Sequence, residues 1–138
     1  MTGQTKLLYT ARVRTTGGRE GTARSSDGRL DIRLSTPGDE RSGTNPEQLF
    51  AAAWSACFES AMASTARKMN ITLSAAPVID AEVDLNVADG AYFLGARLNV
   101  HVPGVDPDVA RKLVDAAHQT CPYSKATQHN IAVAVSLV

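Results

Sequence analysis

The sequence has little cysteine, no net charge and no long apolar run, and each absence argues against a class of protein. Only 2 of the 138 residues are cysteine, too few for a disulfide-stabilised secreted domain, and in a reducing compartment such a pair is redox-active, catalytic or structural. The 14 basic and 14 acidic residues balance, which gives no reason to expect nucleic acid or an anionic membrane as partner. No 18-residue apolar span and no signal-peptide core is present. We therefore expect one cytoplasmic domain, residues 1–138, with no nucleic-acid or membrane partner.

The main feature of the chain is a long apolar stretch that begins at Pro46. Asn45 can cap a helix, Pro46 suits its first position, and no glycine or further proline follows until past Met69. The pattern predicts a helix of about 24 residues, roughly 36 Å long. Its first four turns carry little charge, so most of this helix is expected to be buried. Cys57 lies near its middle.

Alternating apolar residues predict a three-stranded meander before this helix. The strands are expected over residues 6–16, 22–26 and 29–34. A glycine-rich turn at Gly17–Gly21 and a tight turn at Asp27–Gly28 would connect them. The polar residues 35–44 then form a loop that leads to the helix.

After the helix, the pattern predicts a hairpin, a second helix and a final strand. The hairpin covers residues 78–87 and 92–102 with its turn at Asp89–Gly90. The second helix is capped by Asp106, runs to about Thr120 and ends at Cys121–Pro122. Residues 131–138 form the last strand. The order βββ-α-ββ-α-β predicts an α+β fold with antiparallel sheets around a long central helix.

The long helix has more apolar surface than a small antiparallel sheet can cover. A second copy of the chain could bury the excess. The sequence therefore favours an obligate, intertwined homodimer in which the long helices pack together.

The two cysteines are the candidate reactive groups. Cys57 and Cys121 are 64 positions apart, so only the fold can bring them together. Taken alone, a thiol in an apolar helix wall is more often structural, because free cysteine is among the most buried residue types. A reactive thiol needs a nearby cation to stabilise the thiolate, and Arg19 in the glycine-rich turn is a candidate. Glu47 could hold that guanidinium through a bidentate ion pair.

Position along the chain suggests different roles for these residues. Cys121 follows a helix C-terminus, where the helix dipole does not stabilise a thiolate, so it suits a resolving thiol better than an attacking one. Glu47 and Cys57 are roughly 15 Å apart along one helix. A site that combines residues of two subunits would let both reach one arginine more easily.

Four segments of the chain resemble the organic hydroperoxide resistance proteins, which belong to a wider family that includes the osmotically inducible peroxidases. The similarity extends in order over essentially the whole chain. It is carried by residues 17–21 (GGREG), 25–28 (SSDG), 44–52 with 56–58 (TNPEQLFAA and ACF) and 121–127 (CPYSKAT). The chain departs from the family pattern in the short, charged loop 35–44 and at Gln128–His129, where an Arg-Gly pair is common.

The resemblance implies a thiol peroxidase that acts as a homodimer on organic and fatty-acid hydroperoxides. Cys57 would be the peroxidatic residue and Cys121 the resolving one, while Arg19 and Glu47 would form the activating pair. A lipoyl dithiol such as dihydrolipoamide would be the reductant, and no metal or other cofactor is expected. Candidate substrate-pocket residues are Phe50, Trp54, Phe58 and Tyr123, although aromatic residues on such a helix are more often core.

Two other interpretations stay open from the residues alone. A cysteine hydrolase would use His118 or His129 as its base. A metal-binding or redox-stress binding module without turnover would use Cys57, Cys121 and the same two histidines, because His118 and Cys121 have a plausible ligand spacing. His118 is otherwise expected on a helix surface.

Overall fold

The computed structural model describes residues 3–138 and confirms the α+β class, with one helix more than the sequence predicts. In chain order the strands and helices are β1 Val13–Thr16, β2 Thr22–Ser25, β3 Asp31–Arg33, α1 Pro46–Lys68, β4 Val78–Ala88, β5 Ala91–His101, α2 Pro107–Thr120, α3 Pro122–Thr127 and β6 Ala132–Leu137. The chain divides into two compact units, one ending at Pro46 and the other covering Glu47–Val138. The assignment of residues 1–138 to a single domain stays a prediction.

The N-terminal unit contains the predicted antiparallel meander, in the order β1-β2-β3. Thr16 pairs with Thr22 at the end of the first hairpin. Its turn includes a single 3₁₀ turn at Gly18–Glu20, and Gly17 has a left-handed φ of 82°. A Cβ atom at Gly21 would collide with the carbonyl oxygen of Thr16, so this turn requires glycine at both of its ends.

The first strand is shorter than predicted, because it begins at Val13 rather than at residue 6. Residues 4–12 adopt no regular structure, although their composition favours a strand. The side chains of Leu7, Leu8 and Tyr9 are 77%, 86% and 76% exposed. An apolar extended segment forms a strand only where a neighbouring strand can accept its backbone hydrogen bonds.

The C-terminal unit has a three-stranded sheet in the order β4-β5-β6. The β4–β5 hairpin is antiparallel as predicted, with Val78 opposite His101 and Ala88 opposite Ala91. β6 runs parallel to β5, with Ala96 opposite Val133. The expectation of antiparallel sheets is therefore wrong for this strand. The connection between β5 and β6 passes through α2 and α3, and a helical crossover of this kind returns the chain in the same direction.

Helix α1 agrees with the predicted start and length, at 23 residues. One stripe of its surface is fully buried, at Trp54, Phe58, Met62 and Ala66. These residues share a hydrophobic core with residues of β5 and α2. The remaining faces are half-buried or exposed, so the expectation that most of this helix is buried is wrong within a single chain.

Helix α2 begins as predicted, because the Asp106 carboxylate accepts a hydrogen bond of 3.0 Å from the backbone N–H of Asp108. It ends at Thr120, also as predicted. Pro122, which the sequence predicts to stop α2, is also the first residue of α3. That position suits proline, because it needs no backbone N–H. Within residues 3–138, no helix has the length and apolar character that a membrane crossing requires.

Candidate active site

The fold brings the two cysteines of the chain into contact. Cys57 is half-buried in α1, and Cys121 is fully buried at the junction of α2 and α3. Both are free thiols, and the Cys121 side chain is close enough to Cys57 to act on its pKa. The two cysteines are far apart in sequence but close together within the C-terminal unit.

The surroundings of Cys57 act on its pKa in opposite directions. Burial raises the pKa of the Cys57 thiol above its ordinary value, and the hydrogen bond and charge interaction with Cys121 raise it further. The backbone amide of Tyr123 lowers the pKa by a smaller amount, because it donates a hydrogen bond to the sulfur. The net effect within this unit opposes ionisation, so an attacking thiolate at Cys57 requires an additional positive group.

Helix α3 places this amide next to the sulfur. Cys121 is the residue before the helix, and the backbone N–H of Lys125 donates to the Cys121 carbonyl over 2.9 Å. Tyr123 is the second residue of α3, where an amide has no acceptor within its own helix. The short helix therefore positions the second thiol and supplies a hydrogen-bond donor to the first.

A buried polar cluster lies beside the two sulfurs. The Ser124 hydroxyl is 3.1 Å from the indole Nε1 of Trp54 and 2.9 Å from Nδ1 of His118. Ser124 is only 2% exposed, and Trp54 is fully buried. The His118 ring also lies 6.2 Å from the ring of Phe58, between centroids. His118 is therefore half-buried and hydrogen-bonded, rather than a solvated helix-surface residue.

The four predicted pocket residues differ in their surroundings. Trp54 and Phe58 are fully buried members of the hydrophobic core. Phe50 is half-buried and meets Trp54 edge to face, with 5.7 Å between ring centroids. Tyr123 is 41% exposed. Phe50 and Tyr123 thus have surface that a substrate could contact, and a pocket role for all four stays a prediction.

The predicted activating pair lies on two different elements. Arg19 is in the 3₁₀ turn of the N-terminal unit, and Glu47 is in the first turn of α1. Both take part in polar or electrostatic interactions. Their predicted association with Cys57 stays a prediction.

The alternative metal site would require Cys57, Cys121 and a histidine to lie together. Nowhere in the described part of the chain do three or more His, Cys, Asp or Glu side chains cluster in a way that could hold a metal ion. His129 is exposed, and its Nε2 lies 3.0 Å from Nε2 of Gln128.

Comparison with known proteins assigns the chain to a family. Residues 37–136 match the family model described as OsmC-like protein. The chain belongs to the OsmC-like family. The organic hydroperoxide resistance protein of Xanthomonas axonopodis pv. citri is 46% identical over 141 aligned positions, which cover 99% of both chains. The resemblance to organic hydroperoxide resistance proteins is therefore confirmed.

Solved structures of other OsmC-like proteins have the same fold. The crystal structure of the organic hydroperoxide resistance protein OhrB of Bacillus subtilis superposes with a TM-score of 0.90 at 41% identity, covering 96% of this chain and 100% of that one. A Legionella pneumophila organic hydroperoxide resistance protein also gives a TM-score of 0.90, at 40% identity, covering 96% and 98% of the two chains.

The sequence did not predict the hydrogen bonds that Ser124 of α3 makes with Trp54 and His118 in this OsmC-like site. One available signal was helical spacing, since His118 lies four residues after the buried Val114 and therefore on the same side of α2. A second was Pro122, which can begin a helix as well as end one. The pairing of Ser124 with Trp54, 70 positions away, had no local signal.

Proposed function

We propose that this OsmC-like protein is a thiol peroxidase that reduces organic hydroperoxides, including fatty-acid hydroperoxides, to alcohols. The observation that carries the proposal is the contact between the Cys57 and Cys121 thiols, in a chain whose close relatives are named organic hydroperoxide resistance proteins. The two free thiols suit a reducing compartment, and we assign the protein to the cytoplasm.

In the first step, the Cys57 thiolate attacks the distal oxygen of the hydroperoxide. The S–O bond forms as the O–O bond breaks, the sulfur is oxidised to a sulfenic acid, and the alkoxide takes a proton and leaves as an alcohol. Cys57 and Phe50 are both half-buried and pack against the hydrophobic core, which supports an alkyl substrate, because an apolar chain can replace water at such a surface.

In the second step, the Cys121 sulfur attacks the sulfenic sulfur of Cys57. The S–S bond forms, the S–O bond breaks and water leaves. The effect of Cys121 on the pKa of Cys57 supports this step, since it requires the two thiols to be close together. A dithiol of the lipoyl type would then reduce the disulfide by exchange, as the family resemblance implies.

Arg19 and Glu47 are proposed as the activating pair. The raised pKa of Cys57 supports the need for a cation, since burial and the neighbouring thiol oppose ionisation within the C-terminal unit. A guanidinium held by a carboxylate can stabilise both the thiolate and the departing alkoxide.

A homodimer is part of the proposal. Large apolar side chains are exposed on a single chain at Leu7, Leu8, Tyr9, Tyr92 and Phe93. Apolar surface of this extent commonly marks a protein interface. The half-buried faces of α1 outside its core stripe support the same conclusion.

The test is a titration of the reduced protein with cumene hydroperoxide, followed by dihydrolipoamide, while free thiols are counted and masses recorded. We expect one equivalent of hydroperoxide to consume both thiols and form a Cys57–Cys121 disulfide, which dihydrolipoamide reverses. Cys57→Ser should abolish turnover, and Cys121→Ser should allow one reduction and then stall. Full turnover by Cys57→Ser would refute the peroxidase assignment.

A further inference from the structure

Ser124 lies at the centre of a hydrogen-bond network that joins the two cysteine-bearing segments. Its hydroxyl contacts Trp54 on α1 and His118 in the last turn of α2. Trp54 is three residues before Cys57, while Ser124 is three residues after Cys121. Each polar group is therefore about one helical turn from a sulfur.

The chemistry of the groups fixes the direction of one of these hydrogen bonds. An indole N–H can only donate, so Ser124 Oγ accepts the hydrogen bond from Trp54. The Ser124 hydroxyl and Nδ1 of His118 share the second hydrogen bond, and its direction depends on the tautomer of the imidazole. Loss of either bond would leave a polar group without its partner at the buried Trp54 and Ser124.

The same segment makes the contacts with the reacting sulfur. The Tyr123 amide, adjacent to Ser124, and the Cys121 thiol both act on the pKa of the Cys57 thiol. A shift of α3 by a fraction of an ångström would change both contacts, because all of these groups belong to one short helix and the residue before it. The link from Ser124 to Trp54 holds that helix on α1.

We propose that Ser124, held by Trp54 and His118, is a positioning residue for disulfide formation. It keeps Cys121 in line with the Cys57 sulfur, so that the sulfenic acid is converted to a disulfide, with loss of water, before a second hydroperoxide can oxidise it further. This inference rests on the proposed peroxidase function and adds a role for residues outside the two thiols and the activating pair.

The test separates the two chemical steps in single-turnover experiments with cumene hydroperoxide. Alkylation and mass analysis of quenched samples give the loss of free Cys57 and the gain of disulfide. Ser124→Ala should slow disulfide formation by about 3- to 10-fold and should affect the loss of free Cys57 less, because the Tyr123 amide has only a minor effect on the pKa of Cys57. Excess hydroperoxide should then produce more Cys57 sulfinic acid than in the unmodified protein.

Two further comparisons distinguish positioning from general stability. Thr127→Val removes another buried hydroxyl of α3, one that bonds only within its own helix, and should leave disulfide formation unchanged. His118→Leu should slow disulfide formation as Ser124→Ala does. His118→Asn should restore it, because the Asn amide can either accept a hydrogen bond from Ser124 or donate one to it near the place of Nδ1. If Ser124→Ala does not fold, the comparison of His118→Leu with His118→Asn still tests the proposal.

A spectroscopic signal reports the network directly. Trp54 is the single tryptophan of the chain, so all tryptophan emission comes from the indole that donates to Ser124. Ser124→Ala should change that emission, and Thr127→Val should not.

The outcomes refute different statements. The positioning role alone would be overturned if folded Ser124→Ala and His118→Leu formed the disulfide at the unmodified rate. It would also be overturned if Thr127→Val slowed disulfide formation as much as Ser124→Ala does. Absence of a peroxide-induced disulfide in the unmodified protein would instead overturn the proposed function.

Discussion

At the scale of single residues, the ionisation of Cys57 is the property on which the proposed activity depends. Within the C-terminal unit, burial and the Cys121 thiol raise the pKa of Cys57, whereas the Tyr123 amide lowers it by a smaller amount. A thiol whose pKa lies above the ordinary range is mostly protonated at neutral pH and attacks peroxides slowly. The proposed function therefore requires a cation, and Arg19 is the residue that the sequence suggests.

Replacing Arg19 tests this requirement. We expect Arg19→Met to raise the apparent pKa of Cys57 further, since the neutral side chain is of similar length but cannot stabilise a thiolate. The measurement is the rate of Cys57 alkylation by iodoacetamide as a function of pH, in a Cys121→Ser background that leaves one thiol. Arg24→Met is a control, as it changes an arginine of β2 without touching the predicted pair. An unchanged alkylation profile in Arg19→Met would contradict the activating role.

At the scale of elements, the start of α2 is set by local chemistry that the sequence already displays. Asp106 accepts a hydrogen bond from the Asp108 amide, and Pro107 occupies the first helical position. α2 matters for the site because its last turn holds His118 and it leads directly into Cys121.

Removal of this cap should destabilise the protein by about 1 kcal/mol. Asp106→Ala leaves the first-turn amides without their acceptor, and the expected result is a lower urea midpoint with an unchanged m-value. Asp115→Ala, at an exposed position within the same helix, should change the free energy of unfolding by less than about 0.5 kcal/mol. Equal effects of the two substitutions would show that charge rather than capping is responsible.

The β4–β5 hairpin carries an ion pair whose contribution depends on pH. Arg97 bonds both carboxylate oxygens of Asp84, at 2.7 and 2.9 Å. The hydrogen bonds that Arg97 donates lower the pKa of Asp84 below its ordinary value, and the same bonds to Asp84 and Glu82 raise the pKa of Arg97. A carboxyl with a lowered pKa in the folded state stabilises the fold above its unfolded pKa, and the contribution is lost as the pH falls through the folded value.

Arg97→Met should therefore reduce stability at neutral pH, by a small amount because the pair is exposed to solvent. The difference from the unmodified protein should shrink as the pH falls below the ordinary aspartate pKa of about 3.9. Urea unfolding at a series of pH values measures this difference. A difference that stays constant down to acid pH would contradict the assignment to Asp84 ionisation.

At the scale of the whole molecule, the unpaired apolar surface is the main feature. Residues 4–12 have no regular secondary structure and are exposed, and exposed apolar side chains also occur near the β4–β5 turn. A single chain would expose this surface to water, at a cost that a second copy can remove.

We expect a solution mass near twice the 14.6 kDa of one chain, measured by light scattering after gel filtration. Leu8→Asp should shift the mass toward one chain, because it places a charge in the proposed interface. Lys6→Asp, at a neighbouring exposed position, is the matched control for an added acid. A single-chain mass for the unmodified protein would contradict the dimer.

The sequence by itself determined the local features of the chain. Proline explains the start of α1 at Pro46, and aspartate with proline explains the start of α2. A glycine turn between two runs of alternating apolar residues explains the β4–β5 hairpin. All of these effects act over a few residues. The two cysteines could be chosen as candidates in the same way, since thiol chemistry belongs to the residue itself. The family could be recognised from the same segments.

Only the tertiary structure decided what distant residues do together. It set the parallel pairing of β6 with β5, the proximity of Cys57 and Cys121, and the hydrogen bond that Trp54 donates to Ser124. The physical reason is that these interactions close long loops, and their free energy comes from the packed core rather than from the residues near them in sequence. The raised pKa of Cys57 likewise depends on burial, which exists only once α1, α2 and α3 have packed.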